Sequence, residues 1–304
     1  VDEQKDGKYT MSLLNFKMNE FMQIGNIVIK DVEATKCGNV IMLNAARDIQ
    51  ITKGDDENVE WMGPGLGNVN IFLKGELKGD NFNAYLNIPL AGNMIVGVKL
   101  GKNCNEMGQL PNAGFENFHE ASYGSAKSQE PNGWHSFMSS TGSMASMVSS
   151  PVHTYASSEV RENAAEDNKQ CVKVVSTPVK VGSWVAASAN GTITTGRLKA
   201  GSMTASSKDN CSFLDFSSTD VDANGDPFYA VLNNKPDAMK VWVKFKAGDG
   251  NKNPKATISA LLTNGKYAQD PEDDKYASNI IGRAQNSSIE SKDEWQEITI
   301  PFTY

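Results

Sequence analysis

The sequence predicts an all-β protein in two parts, an up-and-down barrel or meander over residues 1–105 and a larger β-sandwich over 106–304. Short β-prone runs with a period of two recur along the chain, and Gly-, Pro- and Asn-containing turns separate them. Only residues 271–284, PEDDKYASNIIGRA, read as one short helix. A length of 304 residues suits about two domains and a core that needs no staples.

In the first part, KYTMSLLNFKM (8–18) alternates Tyr9, Met11 and Leu13 against Thr10 and Ser12, the mark of a half-buried strand. IGNIVIKDV (24–32) and VIMLNAARDIQIT (40–52) follow as strands, and WMGPGLGN (61–68) is a Gly/Pro loop. VNIFLKGEL (69–77) and NFNAYLNIPL (81–90) flank Lys78-Gly79-Asp80 and read as a hairpin, with MIVGVKL (94–100) as a last strand. From residue 107 the composition shifts toward Ser, Ala, Asn and Gly, and SFMSSTGSMASMVSS (136–150) reads as a serine-rich loop. Strands are expected at 171–179, 209–216, 228–232, 239–246, 256–263 and 295–304. Asn190-Gly191 lies between two β-prone runs of 181–198 and predicts a further hairpin.

Charged residues make up 21% and hydrophobic ones 39%, which excludes a disordered chain. A net charge of -7 without like-charge blocks argues against nucleic acid and against anionic membrane surfaces as partners. No apolar run reaches eighteen residues, so no transmembrane segment is expected. Val1-Asp2-Glu3-Gln4 reads as the interior of a longer protein, from which an export signal or lipid anchor could already be gone. Cys37, Cys104, Cys171 and Cys211 lack zinc or redox spacing; two disulfides in any of three connectivities and four free thiols stay open.

Gly7-Lys8-Tyr9-Thr10 with Leu13, Asn15 and Phe16, Ile24-Gly25-Asn26-Ile27-Val28, Gly63-Pro64-Gly65-Leu66-Gly67 and Leu73-Lys74-Gly75 occur in an order that resembles the calycin-like, lipocalin-related domains of gut Bacteroidetes surface proteins. The resemblance covers residues 7–100 and implies further N-terminal strands before Val1, and a barrel that could pocket a glycan or a hydrophobic ligand. From 107 onward, Asn112-Ala113-Gly114-Phe115-Glu116, Pro131-Asn132-Gly133-Trp134, Thr194-Thr195-Gly196-Arg197-Leu198, Lys235-Pro236-Asp237-Ala238 and Trp295 resemble the carbohydrate metabolism domain of Bacteroidetes surface proteins. That resemblance implies a jelly-roll like those of carbohydrate-binding modules, with its Asp-rich final strand beyond Tyr304. Together the two imply non-catalytic binding of an oligo- or polysaccharide at the outer-membrane surface, in a glycan-utilisation system with other surface proteins as partners.

Sugar rings stack on aromatic faces while a few polar groups fix orientation. Trp242 shares a face with Lys240, Lys244 and Lys246, and Trp184 stands two residues after Gly182 and ahead of a small-residue run, so these two are the carbohydrate-binding candidates; cover for a second layer is the plainer alternative. Loops of the N-x-G-F-E type in such modules hold structural Ca2+, which makes Asn112 and Glu116 candidate metal ligands, unless Glu116 simply caps a turn. Asp220, Asp222, Asn224, Gly225 and Asp226 open like an EF-hand loop, but Val231 stands where the bidentate Glu belongs, so a solvated acidic turn is expected. His119, His135 and His153 show no metal spacing, and no catalytic residues are assigned. A glycoside hydrolase, whose paired carboxylates the sequence does not reveal, and an adhesin-like spacer are the competing readings.

Overall fold

The computed structural model of the protein describes residues 1–89, 95–102, 110–147, 152–164, 166, 168–181, 184–232 and 234–304, without the side chains of Cys37, Pro89, 179–181 and 184–188. Strand accounts for 51% and helix for 6%, so the all-β expectation holds. The chain divides into two compact units, Val1–Gln109 with Val231–Asn233, and Leu110–Ala230 with Asn234–Tyr304.

The first unit is a single curled antiparallel sheet, a half-barrel. Its strands are β1 (Asp2–Glu3), β2 (Tyr9–Lys17), β3 (Gln23–Cys37), β4 (Val40–Gln50), β5 (Asn68–Lys78), β6 (Asn81–Pro89) and β7 (Ile95–Leu100), and each pairs with the next. Side chains alternate across each strand, so one face collects the apolar residues. On β5 that face carries Val69, Ile71 and Leu73, all buried, while Asn70, Phe72 and Lys74 point outward. Tyr9, Met11, Ile27, Ile29, Leu43 and Leu86 complete the floor of this core. The predicted hairpin turn closes between Lys78 and Asn81, where Gly79 takes φ 55°. The Gly/Pro loop carries a 3₁₀ turn at Gly63–Leu66. The curled interior is filled by its own side chains: about 10 Å³ remains among Phe16, Met18, Ile24, Ile51, Leu66, Ile88 and Val96. An open polar groove of about 320 Å³ lies outside it, at Asn15, Lys17, Asp55, Asp56 and Trp61.

In the second unit the strands are β8 (Phe118–Tyr123), β9 (Ala126–Pro131), β10 (Thr154–Ser157), β11 (Cys171–Val174), β12 (Thr177–Val181), β13 (Trp184–Ala189), β14 (Arg197–Ala200), β15 (Asn210–Leu214), β16 (Ala238–Phe245), β17 (Ala256–Thr263), β18 (Ala268–Asp270), β19 (Ile280–Ile289) and β20 (Lys292–Pro301). Every described strand-to-strand pairing is antiparallel: β8 with β9, β10 with β11, β12 with β13, β14 with β15 and β15 with β18, β16 with β20, and β17 with β19; the isolated bridge of Thr141 to Lys199 is parallel.

Three local expectations fail here for identifiable reasons. Asn190-Gly191 does not join a hairpin: β13 pairs backward with β12, and a Cβ on Gly191 would lie 2.5 Å from the Val175 backbone. Gly191 thus serves close approach of two chains and not a turn. The run at 228–232 forms no strand among its described residues; Phe228 instead packs at a tilt against His135, centroids 4.6 Å apart, and Tyr229 against Phe216 at 4.6 Å. The helix expected over 271–284 shrinks to a 3₁₀ segment at Asp274–Asn279, because from Ile280 the chain pairs with β17. Cys171 and Cys211 are free thiols whose pKa burial pushes up, whereas Cys104 and the Cys37 side chain lie outside the described residues.

Candidate functional site

Two places in the second unit gather the residues on which function would rest. The first begins at the β8–β9 hairpin, whose two-residue turn Gly124-Ser125 sets Tyr123 opposite Ala126, with Gly124 at φ 57°. This register places His119 directly across from Glu130. A turn follows, closed by the Trp134 N–H donating to Pro131 O at 2.9 Å, with Gly133 at φ 77°. It returns the chain so that His135 bridges Thr194, donating to its carbonyl at 2.7 Å. From 93 residues away, Asp226 Oδ2 accepts the Gly133 N–H at 2.8 Å, which docks the 220–226 loop on this turn.

The docked loop is not the solvated acidic turn expected from its composition. Asp220 pairs with Arg197 at 2.8 Å and stays exposed, but the Asp222 side chain is only 3% exposed. Asp222 Oδ1 accepts the N–H groups of Asn224 (2.9 Å) and Asp226 (2.8 Å), so the loop wraps its own carboxylate. Asp222 Oδ2 is left facing His119 Nε2 and His135 Nδ1, each 3.3 Å away, and His119 Nε2 lies 3.9 Å from Glu130 Oε2. Burial pushes the Asp222 carboxyl up, but His135 when protonated, the Asp226 amide and His119 when protonated outweigh it and hold it below its ordinary value. His119 and His135, which show no metal spacing in the sequence, both reach Asp222 because a hairpin and a turn fold the fifteen residues between them back on themselves.

Asn112 and Glu116, the candidate calcium ligands, sit in a tight loop with Asn112 at φ 46° and Phe115 at φ 55°. Asn112 Oδ1 accepts the N–H groups of Glu116 (3.1 Å) and Asn117 (3.2 Å). Glu116 reaches the segment before β11, where its carboxylate accepts from Asn168 Nδ2 (3.2 Å) and from the Lys169 N–H (2.9 Å). The structure therefore gives both carboxylate oxygens of Glu116 to N–H donors. Glu120, the other local acid, is tied to Lys127 at 2.7 Å.

The second place is the outer face of β16 and β20. Burial alternates along β16, with Val241, Val243 and Phe245 half-buried and Lys240, Trp242 and Lys244 exposed. Trp242 pairs with Glu297 across the sheet, and the Arg161 guanidinium lies over its ring at 4.6 Å. Arg161 is itself held by the Asn163 carbonyl at 2.9 Å. Lys240 pairs with Glu297 at 2.9 Å, and Lys244 pairs with Glu159. The result is an aromatic ring framed by alternating charges. The Trp184 side chain, the other sugar-binding candidate, lies outside the described residues. Trp134 is tied to Pro111 O at 2.7 Å and packs at a tilt against Phe115, and Trp61 is buried with its indole N–H on Asp56 O at 2.9 Å.

Residues 1–100 match the calycin-like beta-barrel domain family. The first unit is a calycin-like domain, and its half-barrel of successive antiparallel strands agrees with that match. No protein of curated function and no solved structure matches the chain. Among the described residues no helix is long and apolar enough to cross a membrane.

Proposed function

We propose that the protein binds an oligo- or polysaccharide without cleaving it, as a cell-surface component of a bacterial glycan-utilisation system, and that Trp242 is the stacking platform. The observation that carries this reading is the setting of Trp242. It stays 38% exposed on a sheet face that also presents Lys240, Lys244 and Glu297, with Arg161 fixing the ring. A sugar offers an apolar C–H face to an aromatic ring and hydroxyls to flanking charged groups, and this face supplies both. The carboxylates beside it, Glu297 and Glu159, are each engaged by a lysine, a setting for accepting hydroxyl hydrogen bonds.

Affinity electrophoresis against a panel of plant and host polysaccharides, scored also for reducing sugar, tests the reading. Wild type is expected to be retarded by at least one polysaccharide, with no sugar released and with retardation abolished in Trp242→Ala. Retardation lost only in Trp184→Ala would move the site to β13. Sugar release would replace binding by hydrolysis, and no retardation at all would favour a spacer.

A further inference from the structure

We propose that His119, Glu130, His135 and Asp222 form a closed structural site for one divalent cation of the zinc type in the second unit. His119 Nε2, Glu130 Oε2, His135 Nδ1 and Asp222 Oδ2 are all buried and none has a hydrogen-bond partner. Their side chains are 10%, 1%, 0% and 3% exposed. Buried polar atoms are almost always paired, so four orphans gathered around Asp222, in the groups His119–Asp222–Asp226 and Glu130–His135–Asp222, need a cause.

The tautomers make the case sharper. His119 Nδ1 lies 3.1 Å from Asn132 Oδ1, and His135 Nε2 lies 3.2 Å from Pro227 O. Both partners are oxygens that only accept, so each imidazole carries a proton on that outer nitrogen and turns its other nitrogen inward. The outer carboxylate oxygens are also used: Glu130 Oε1 accepts the Ser136 N–H at 2.7 Å and the Ser136 hydroxyl, and Asp222 Oδ1 accepts the two amides of its own loop. With neutral rings, four lone pairs therefore meet without a donor among them. A water molecule brings two hydrogens to four acceptors, whereas a cation satisfies all four.

Geometry and donor chemistry select the ion. Bonds of about 2.0–2.1 Å in a tetrahedron put ligand atoms about 3.3 Å apart. The two histidine–Asp222 separations are 3.3 Å and the His119–Glu130 separation is 3.9 Å, and the cation would draw together the His119 and the Glu130–His135 sides, which meet at Asp222. Two imidazole nitrogens favour zinc-type ions over Ca2+ and Mg2+, which take oxygen ligands. The two carboxylates balance a charge of +2. Four protein ligands fill the tetrahedral shell and leave no position for a substrate, which makes the site a brace and not a catalytic centre. Asn132, Pro227 and Ser136 orient the ligands from behind, as such outer groups do in metal proteins.

The test uses the full chain, stripped with a chelator and then titrated with Zn2+, Co2+ and Ca2+ separately. One Zn2+ per chain is expected, with a rise in melting temperature. Co2+ should give the intense visible absorption of four-coordinate cobalt, and Ca2+ should do neither. Asp222→Asn keeps the loop-wrapping oxygen and removes one anionic ligand, so it should weaken Zn2+ binding at least ~100-fold. His119→Gln, at the least buried ligand, serves the same purpose should Asp222→Asn not fold. No stoichiometric binding by wild type, a pale six-coordinate cobalt spectrum, equal binding of Ca2+, or unchanged affinity in a folded variant would each overturn the proposal.

Discussion

Replacing Glu130 by Gln should change the sign of its effect with the metal content of the solution. The side chain is 1% exposed, and Oε2 has no hydrogen-bond partner. An unpaired buried acceptor costs about 1–3 kcal/mol, and more when charged. Glutamine is nearly isosteric, keeps an oxygen for Ser136, and presents an NH2 donor toward His119 Nε2, 3.9 Å from the replaced atom. Against this gain, the bonds from Ser136 lose their charge assistance, a loss of about 1 kcal/mol. The net expectation in chelator is a variant up to about 2 kcal/mol more stable than wild type. At about 2–4 °C per kcal/mol for a domain of this size, that is a rise of up to roughly 8 °C in the transition of the second unit. With Zn2+ present the order should reverse, because a carboxamide is a poor substitute for an anionic ligand. Scanning calorimetry in both solutions reads the crossover. A variant that melts below wild type in chelator would show that Glu130 is paired by a protonated histidine, and the donor-free picture of the cluster would fail.

Two further outcomes follow from the fold. Gly25 has φ +116°, and a Cβ there would stand 2.2 Å from Thr52 O, whose bridge to Asn26 (2.9 and 3.1 Å) would have to open. Backbone strain and two lost hydrogen bonds put the cost of Gly25→Ala at about 3–5 kcal/mol. Gly7→Ala, at φ +78° with nothing within 4 Å, should cost only about 1–2 kcal/mol. Urea unfolding followed by Trp61 emission compares the two, and equal costs would contradict the steric reading. His153 is buried, which lowers its pKa, while its bond to Val175 O acts the other way. The unfolded chain thus takes up the proton first, so the stability contributed by neutral His153 is intact above about pH 6.5 and is lost as the pH falls toward the folded value. The stability difference between wild type and His153→Gln should be flat above that pH and move against wild type below it; a difference that grows in favour of wild type on acidification would refute this.

What the sequence revealed depends on which side chains face the core. β2, β5 and β6 bury apolar residues at alternate positions, so a period of two was visible in Tyr9, Met11 and Leu13 and again in Val69, Ile71 and Leu73. The β8–β9 hairpin was not visible by that signal, because its buried positions include Ser128 and Glu130, and hydrophobicity is blind to polar residues that face inward. The one available cue was the Gly124-Ser125 pair at its turn. The alternation along β16 did place Trp242 on the outer face with Lys240 and Lys244, as expected, but nothing in the pattern announced that Arg161 would cover the ring. The His–carboxylate cluster was hidden for another reason: its four residues come from a hairpin, a turn and a distant loop, and only tertiary docking gives them a common centre.

The way the first sheet is strung together bears on the order in which the molecule comes into being. All seven strands pair with their immediate neighbour in sequence, so apart from the 51–67 connection between β4 and β5 each step closes a short loop and little chain entropy is lost before contacts repay it. That unit can finish pairing on a ribosome as its strands emerge, one hairpin at a time. The second unit cannot proceed this way. Gly133 must wait for Asp226, and His135 for Pro227, 92 residues downstream. Until synthesis passes residue 222, His119, Glu130 and His135 remain an incomplete set of ligands, and any ion they hold is held loosely. Closing the cluster is therefore a late event, and capture of the cation would set the point after which the second unit no longer opens readily.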